Sequence, residues 1–196
     1  MSKTNKSDIR NAVRESYGKI ADENRQDSDC CGDSVSESIG YTKEELSNAP
    51  EEANMGLGCG NPQTFADIKE GETVIDLGSG AGFDCFLASK KVGRTGRVIG
   101  VDMTPEMISK SRDLARKNRY RNVDFRLGEI ENLPVADNSA DVIISNCVIN
   151  LSPNKQRVYD EMHRALRLGG RVAISDVVKI KEMTDEMKED ESLYCG

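Results

Sequence analysis

The stretch T-V-I-D-L-G-S-G-A-G at residues 73–82 constrains the fold more than any other part of the chain. Its first half is apolar and β-branched, as in a buried strand, and three glycines at alternate positions complete it. Glycine accepts a positive φ and has no Cβ, so the turn after the strand can bring backbone N–H groups close to a ligand. A strand, a glycine-rich turn and a helix are the usual opening of a nucleotide-binding α/β sheet.

The spacing of these glycines narrows the kind of ligand. The dinucleotide fingerprint G-x-G-x-x-G needs a third glycine where this chain has Phe83, and no G-K-[ST] follows for a phosphate-binding loop. A nucleoside cofactor without a pyrophosphate therefore fits better, and S-adenosylmethionine is the candidate. We expect Gly78, Ser79 and Gly80 to bind it.

Further strands and helices alternate along the chain after this turn. Apolar strands are predicted at residues 97–102, 123–127, 141–145 and 171–176, with helices beginning at Phe83, Pro105 and Ser152-Pro153, the last of them ending at Gly169-Gly170. This pattern predicts an α/β fold, an open parallel Rossmann-like sheet of order 3-2-1-4-5 with helices on both faces. Strand five would be an uncovered edge, so we expect later strands of the domain to be missing from this chain.

The N-terminal third reads as an extension of this domain. An amphipathic helix is predicted from Ser7 to Ile20, a mobile loop over residues 22–38, and a short helix capped by Thr42 with Glu45. We place the boundary at residue 70: residues 1–70 form a helical and loop extension carrying Cys30, Cys31 and Cys59, and residues 71–196 form the cofactor-binding domain, incomplete at its C-terminus.

Charge and composition exclude several classes of protein. A net charge of −7 argues against nucleic acid as a partner. The chain has no apolar run near the roughly 20 residues that cross a bilayer, and its polar N-terminus is no secretory signal, so we expect a cytoplasmic protein without a membrane partner. Six cysteines without C-x-x-C pairs, beside one histidine, favour neither a disulfide framework nor a zinc site.

Other cofactor contacts are expected where the strands end. Asp102 lies about 20 residues beyond the glycines, where an acidic side chain accepts the ribose hydroxyls. Met103 would pack on the adenine, and Glu129, taken as the end of strand three, would address the adenine edge with Ile130. Asn146, at the carboxyl end of strand four, would line the cofactor site at the functional edge of the sheet.

Several motifs resemble known families. I-D-L-G-S-G at residues 75–80, V-D-M at 101–103 and L-G-G at 168–170 resemble the class I S-adenosylmethionine-dependent methyltransferases. G-C-G-N-P at 58–62, F-D-C at 83–85, G-V-D-M-T at 100–104 and S-N-C-V-I-N-L at 145–151 look like the arsenite methyltransferases. The likeness extends from about Tyr17 to Leu193.

This resemblance implies methyl transfer from S-adenosylmethionine to trivalent arsenic held by cysteine thiolates. Cys59 and Cys147 match arsenic-binding cysteines of the family, and either Cys30 or Cys31 matches a cysteine linked to disulfide exchange. The remaining arsenic ligand is either Cys195 or a residue beyond this chain. Similar methyltransferases also imply that Tyr17 closes over the methionine carboxylate of the cofactor.

The residue types suit this chemistry. Thiolates bind thiophilic ions such as trivalent arsenic, whose lone pair can attack a methyl group without a general base. Each transfer oxidises arsenic, so the expected partners are arsenic delivered as a thiol conjugate and a thioredoxin- or glutathione-type reductant. Activity should fall at acidic pH, where thiolates are protonated. We expect a monomer.

Other readings remain for the thiols and the activity. Cys85 lies in a helix beside Phe86, and a structural role is favoured for it. The chain also fits a methyltransferase for a small organic acceptor such as a quinone or lipid, or an arsenic-binding protein without turnover.

Overall fold

The computed structural model describes residues 6–22, 33–178 and 180–181. Three helices precede the sheet: α1 (Lys6–Asp22), α2 (Asp33–Ser38) and α3 (Lys43–Asn48). The strands are β1 (Thr73–Leu77), β2 (Arg97–Asp102), β3 (Val123–Leu127), β4 (Ala140–Asn146) and β5 (Leu166–Ser175). Between them lie α4 (Phe83–Val92), α5 (Pro105–Lys117) and α6 (Lys155–Ala165).

The five strands form one parallel sheet in the order β3-β2-β1-β4-β5, which confirms the predicted topology. β1 lies at its centre, and Val74 and Ile75 on its opposite faces are fully buried. β5 is an edge strand on which Val172 remains 47% exposed. All five carboxyl ends meet at one edge of the sheet, where ligands bind in folds of this kind.

Each face of the sheet has its own hydrophobic core. Val74, Val98 and Val142 pack with Phe86 of α4 and Ile108 of α5 on one face. The intervening strand residues, such as Ile75, Val101 and Ile143, pack with Val158 and Met162 of α6 on the other. Successive strand side chains point to opposite faces, which explains why both faces need apolar residues.

The N-terminal elements agree with the prediction in part. Thr42 and Glu45 form the expected capping box on α3, with the Glu45 N–H donating to Thr42 Oγ1 at 3.2 Å. The loop predicted over residues 22–38 is wrong at residues 33–38, which form α2. Cys30, Cys31, Cys195 and the charged stretch from residue 182 lie outside the described residues.

Both predicted ends of α6 are also corrected. The Ser152 hydroxyl bonds Glu131 and the Asn154 N–H, so Asn154 rather than Ser152 caps α6. α6 ends at Ala165 because N–H groups of residues 138 and 139 bond its last carbonyls, and Gly169-Gly170 lies within β5. α5 begins at Pro105, as predicted, and Thr104 occupies its N-cap position without a side-chain capping bond. Among the described helices, none combines the length and apolar character needed to cross a membrane.

Candidate active site

A cleft opens at the carboxyl edge of the sheet, between the glycine turn, α1 and the segment at residues 53–58. Its empty volume is about 1140 Å³, with the open solvent at its mouth included. The structure brings eight of the nine predicted cofactor residues to its lining: Tyr17, Gly78, Ser79, Gly80, Asp102, Met103, Ile130 and Asn146.

The glycine turn has the geometry that the sequence required. Gly78, Gly80 and Gly82 all have positive φ, and the N–H groups of Gly78 and Ser79 donate to the Val101 carbonyl at 2.8 and 3.0 Å. A Cβ on Gly80 would meet no atom within 4 Å, so the turn leaves open space beside its backbone. The buried Ser79 hydroxyl has no hydrogen-bond partner, which favours a ligand at this point.

Asp102 is held in the cleft by backbone donors. Its two carboxylate oxygens accept the N–H groups of Gly80 at 2.9 Å and Thr104 at 2.8 Å. Burial raises the pKa of Asp102, and these backbone bonds act in the opposite direction. The carboxylate also receives hydrogen bonds from the Thr104 side chain and the Met103 N–H, and it lines the cleft.

Glu129 is the one predicted cofactor residue that does not line the cleft. It lies two residues beyond β3 and pairs with Arg10 at 3.4 Å and Arg14 at 3.5 Å, both on α1. Glu131 lines the cleft instead and accepts the Ser152 hydroxyl at 2.6 Å. Sequence reasoning did not single out Glu131, because an E-I-E segment does not reveal which carboxylate faces the cleft.

Two buried carboxylates, Asp76 and Asp84, also line the cleft, and sequence reasoning assigned neither a role. Asp76 is 2% exposed and accepts the Cys85 thiol at 3.2 Å; burial and the nearby Asp84 raise its pKa. Asp84 accepts the Tyr41 hydroxyl at 2.8 Å and the Gln63 amide at 2.9 Å. Burial also raises the pKa of Tyr41, which keeps its proton for this bond.

The structure brings Cys59 and Cys147 together, although 88 residues separate them, and joins them in a disulfide with 5.7 Å between their Cα atoms. The sequence favoured free thiols over a disulfide framework. The disulfide forms because the fold brings the two cysteines close together. Cys147 follows β4 directly, has a φ of 57° and donates its N–H to the Ser175 carbonyl at 2.8 Å. The positive φ turns the chain sharply at the cleft, a strain that non-glycine residues usually avoid.

Cys85 differs from this pair in its bonding state, its burial and its reactivity. It is free, fully buried, and its thiol pKa is raised by burial and by Asp76. These features agree with the structural role favoured from the sequence. Within residues 6–22, 33–178 and 180–181, no group of three or more histidine, cysteine or acidic side chains is arranged to hold a metal ion.

Comparison with known proteins places this site in a family. Residues 68–196 match the family described as "Methyltransferase domain". An arsenite methyltransferase of Halobacterium salinarum is 52% identical over 96% of this chain and 52% of its own length; one of Aquipseudomonas alcaligenes is 40% identical over 93% and 55%. The structure of an arsenic(III) S-adenosylmethionine methyltransferase from Chlamydomonas reinhardtii matches with a TM-score of 0.64 and 36% identity, over 81% of this chain and 54% of that one.

The chain therefore belongs to the methyltransferase domain family, whose open parallel sheet and glycine turn it has. Within that class, the relatives reported above are arsenite methyltransferases, which confirms the resemblance stated from the sequence. The chain spans about half the length of these relatives.

Proposed function

We propose that this chain carries the catalytic core of an enzyme that transfers a methyl group from S-adenosylmethionine to trivalent arsenic. The observation that carries the proposal is the meeting of Cys59 and Cys147 beside the cleft formed by the glycine turn. The arsenite methyltransferases among its relatives support the same substrate.

The cleft fits the cofactor. Gly80 leaves space for close approach to the backbone, Ser79 offers an unpartnered hydroxyl, and Asp102 lines the cleft, where it is proposed to bind the ribose. When bound, S-adenosylmethionine supplies an electrophilic methyl group on its sulfonium. Tyr17, Met103 and Ile130 line the same cleft and are proposed to enclose the methionine and adenine parts.

The cysteines have two roles in this proposal. As reduced thiolates, Cys59 and Cys147 bind arsenic by two sulfur bonds and hold it in line with the methyl group, which is catalysis by positioning. When the arsenic is oxidised by methylation, two thiolates can return two electrons to it by forming a disulfide. The disulfide of this structure is the form that such a step leaves behind. Cys195 as a third ligand, and Cys30 or Cys31 as the exchanging cysteine, remain proposals on residues outside the described part.

Turnover then needs an external reductant to open the disulfide. A thioredoxin- or glutathione-type thiol does this by exchange, and arsenic delivered as a thiol conjugate enters by the same chemistry. The proposal includes a monomeric protein in the reducing cytoplasm, where it contributes to arsenic detoxification.

Incubation of the reduced full chain with arsenite, S-adenosylmethionine and glutathione tests the proposal. Separation of arsenic species with elemental detection is expected to show methylated arsenic, formed together with S-adenosylhomocysteine. Tight arsenic binding without S-adenosylhomocysteine would refute turnover and leave an arsenic-binding protein. Transfer to a quinone or lipid that persists in a Cys59→Ser, Cys147→Ser variant would indicate an organic acceptor instead.

A further inference from the structure

Asn146 is the last residue of β4 and immediately precedes Cys147. Its side-chain oxygen accepts the Cys59 N–H at 3.0 Å, and its side-chain nitrogen donates to the Gly60 carbonyl at 2.8 Å. The carboxamide thus bonds the backbone on both sides of the Cys59 side chain. Through this pair of bonds one thiol-bearing loop is joined to the strand that carries the other thiol.

The two glycines that flank Cys59 fit closely around this contact. A Cβ on Gly58 would lie 2.6 Å from the Asn146 side-chain nitrogen, and a Cβ on Gly60 would overlap the Ser175 hydroxyl. Real Cβ atoms essentially never come within 3.0 Å of other heavy atoms. The G-C-G sequence therefore has a steric reason: it lets the loop sit against the ends of β4 and β5.

The carboxamide is itself fixed from behind. Its nitrogen also lies 3.0 Å from the Tyr41 hydroxyl and 3.2 Å from the Asp84 carboxylate, and Tyr41 and Asp84 bond each other at 2.8 Å. An amide nitrogen has only two protons to donate, so these protein groups and Gly60 use its capacity. Asn146 lines the cleft, yet its carboxamide bonds protein groups: the backbone of the Cys59 loop on one side, and Tyr41 and Asp84 on the other.

We propose that Asn146 is a positioning residue that holds the Cys59 thiol against Cys147, and so sets the effective concentration of the two thiols for each other. The role rests on the proposed function, because it serves arsenic binding by both sulfurs. It can nevertheless be measured without arsenic. The measurable quantity is the equilibrium constant with which Cys59 and Cys147 form their disulfide.

The test is a thiol–disulfide equilibrium with glutathione. One protein dithiol and one oxidised glutathione give one protein disulfide and two reduced glutathiones, so two electrons pass from the protein sulfurs to the glutathione disulfide. After acid quenching and alkylation, mass spectrometry of the peptides that contain Cys59 and Cys147 gives the equilibrium constant.

Asn146→Leu removes the hydrogen bonds at nearly constant volume. Asn122→Leu is the matched control, because Asn122 is a partly buried carboxamide that donates to the Ser89 and Gly93 carbonyls, away from both thiols. The Asn146 variant is expected to lower the equilibrium constant for disulfide formation at least about tenfold, or about 30 mV for two electrons. The control is expected to stay within about twofold of the parent.

Gly58→Ala is a second variant that keeps the carboxamide and displaces it by contact. It is expected to shift the equilibrium in the same direction, and it decides the matter if Asn146→Leu does not fold. An unchanged constant in both variants, or weaker binding of S-adenosylhomocysteine as the only change, would overturn the proposal. If the variants shift the constant but the parent chain does not methylate arsenite, the proposed function is refuted and the positioning role stays intact.

Discussion

Gly78→Ala tests the packing that connects the cofactor turn to the cysteine segment. Gly78 has a φ of 67°, a conformation that costs a residue with a side chain about 1–2 kcal/mol. A Cβ there would also lie 2.7 Å from the Val148 Cβ and closer still to one of its methyl groups. Overpacking of this kind adds about 1–3 kcal/mol, so the free energy of unfolding should fall by about 2–5 kcal/mol.

Gly80→Ala is the matched control for this prediction. Gly80 has a φ of 51° but no atom within 4 Å of an added Cβ, so only the conformational cost of about 1–2 kcal/mol applies. The stiffening of the unfolded chain by alanine is common to both variants and cancels in their difference. Gly78→Ala combined with Val148→Ala should recover part of the loss, because the methyl groups nearest the new Cβ are gone.

Urea unfolding without cofactor measures the free energy of unfolding of both variants. The comparison requires that this free energy depends on urea concentration with the same slope in each variant. Equal losses for Gly78→Ala and Gly80→Ala, or no recovery in the Val148→Ala background, would refute the reasoning. In that case Val148 would not press on the glycine turn, and the placement of the neighbouring Cys147 against the cofactor cleft would lose its support.

Three further predictions concern charge and reactivity. Burial and, to a smaller extent, Asp84 raise the pKa of Asp76. Above about pH 4 the unfolded chain releases a proton that the folded chain keeps, so the free energy of unfolding falls as pH rises. Asp76→Asn should reduce this fall in urea unfolding, and an unchanged pH dependence would contradict the prediction. Glu131→Gln should weaken the binding of S-adenosylhomocysteine about tenfold in calorimetry, because Glu131 lines the cleft. Glu129→Gln should change this affinity less than about twofold. Equal effects of the two variants would contradict the position of Glu131 in the cofactor cleft. In the reduced native protein, Cys85 should resist iodoacetamide until denaturant is added, because it is fully buried and its pKa is raised; its rapid alkylation would be the contrary result.

The fold was largely predictable because its signals are local. The T-V-I-D-L segment is apolar enough to be the central strand, and the glycines after it define the turn and the edge at which ligands bind. The capping box of Thr42 and Glu45 lies within four residues and was equally readable. The ends of α6 were not, because they depend on Glu131 and on the turn at residues 138–139, which are distant in sequence.

The site was predictable in kind but not in its internal bonds. The strand-end rule and the family motifs pointed to Cys147, Asp102 and Asn146, and all three line the cleft. That Asn146 bonds the loop of Cys59 follows only from tertiary packing across 87 residues. The contacts of α1 have the same origin, because Arg10 pairs with both Glu129 and Glu131 and Arg14 pairs with Glu129, across more than 100 residues.

Transfer of a labelled methyl group in a single turnover tests the central claim most directly. Reduced protein is mixed with one equivalent of arsenite and isotopically labelled S-adenosylmethionine, and the label on arsenic is followed in the parent chain, Cys147→Ser and Cys85→Ser. Serine at position 85 can keep the bond to Asp76 and lies away from the disulfide pair, so it controls for the loss of a thiol. The account predicts labelled methylarsenic from the parent and from Cys85→Ser, and none from Cys147→Ser. Equal label on arsenic from Cys147→Ser and the parent would contradict it.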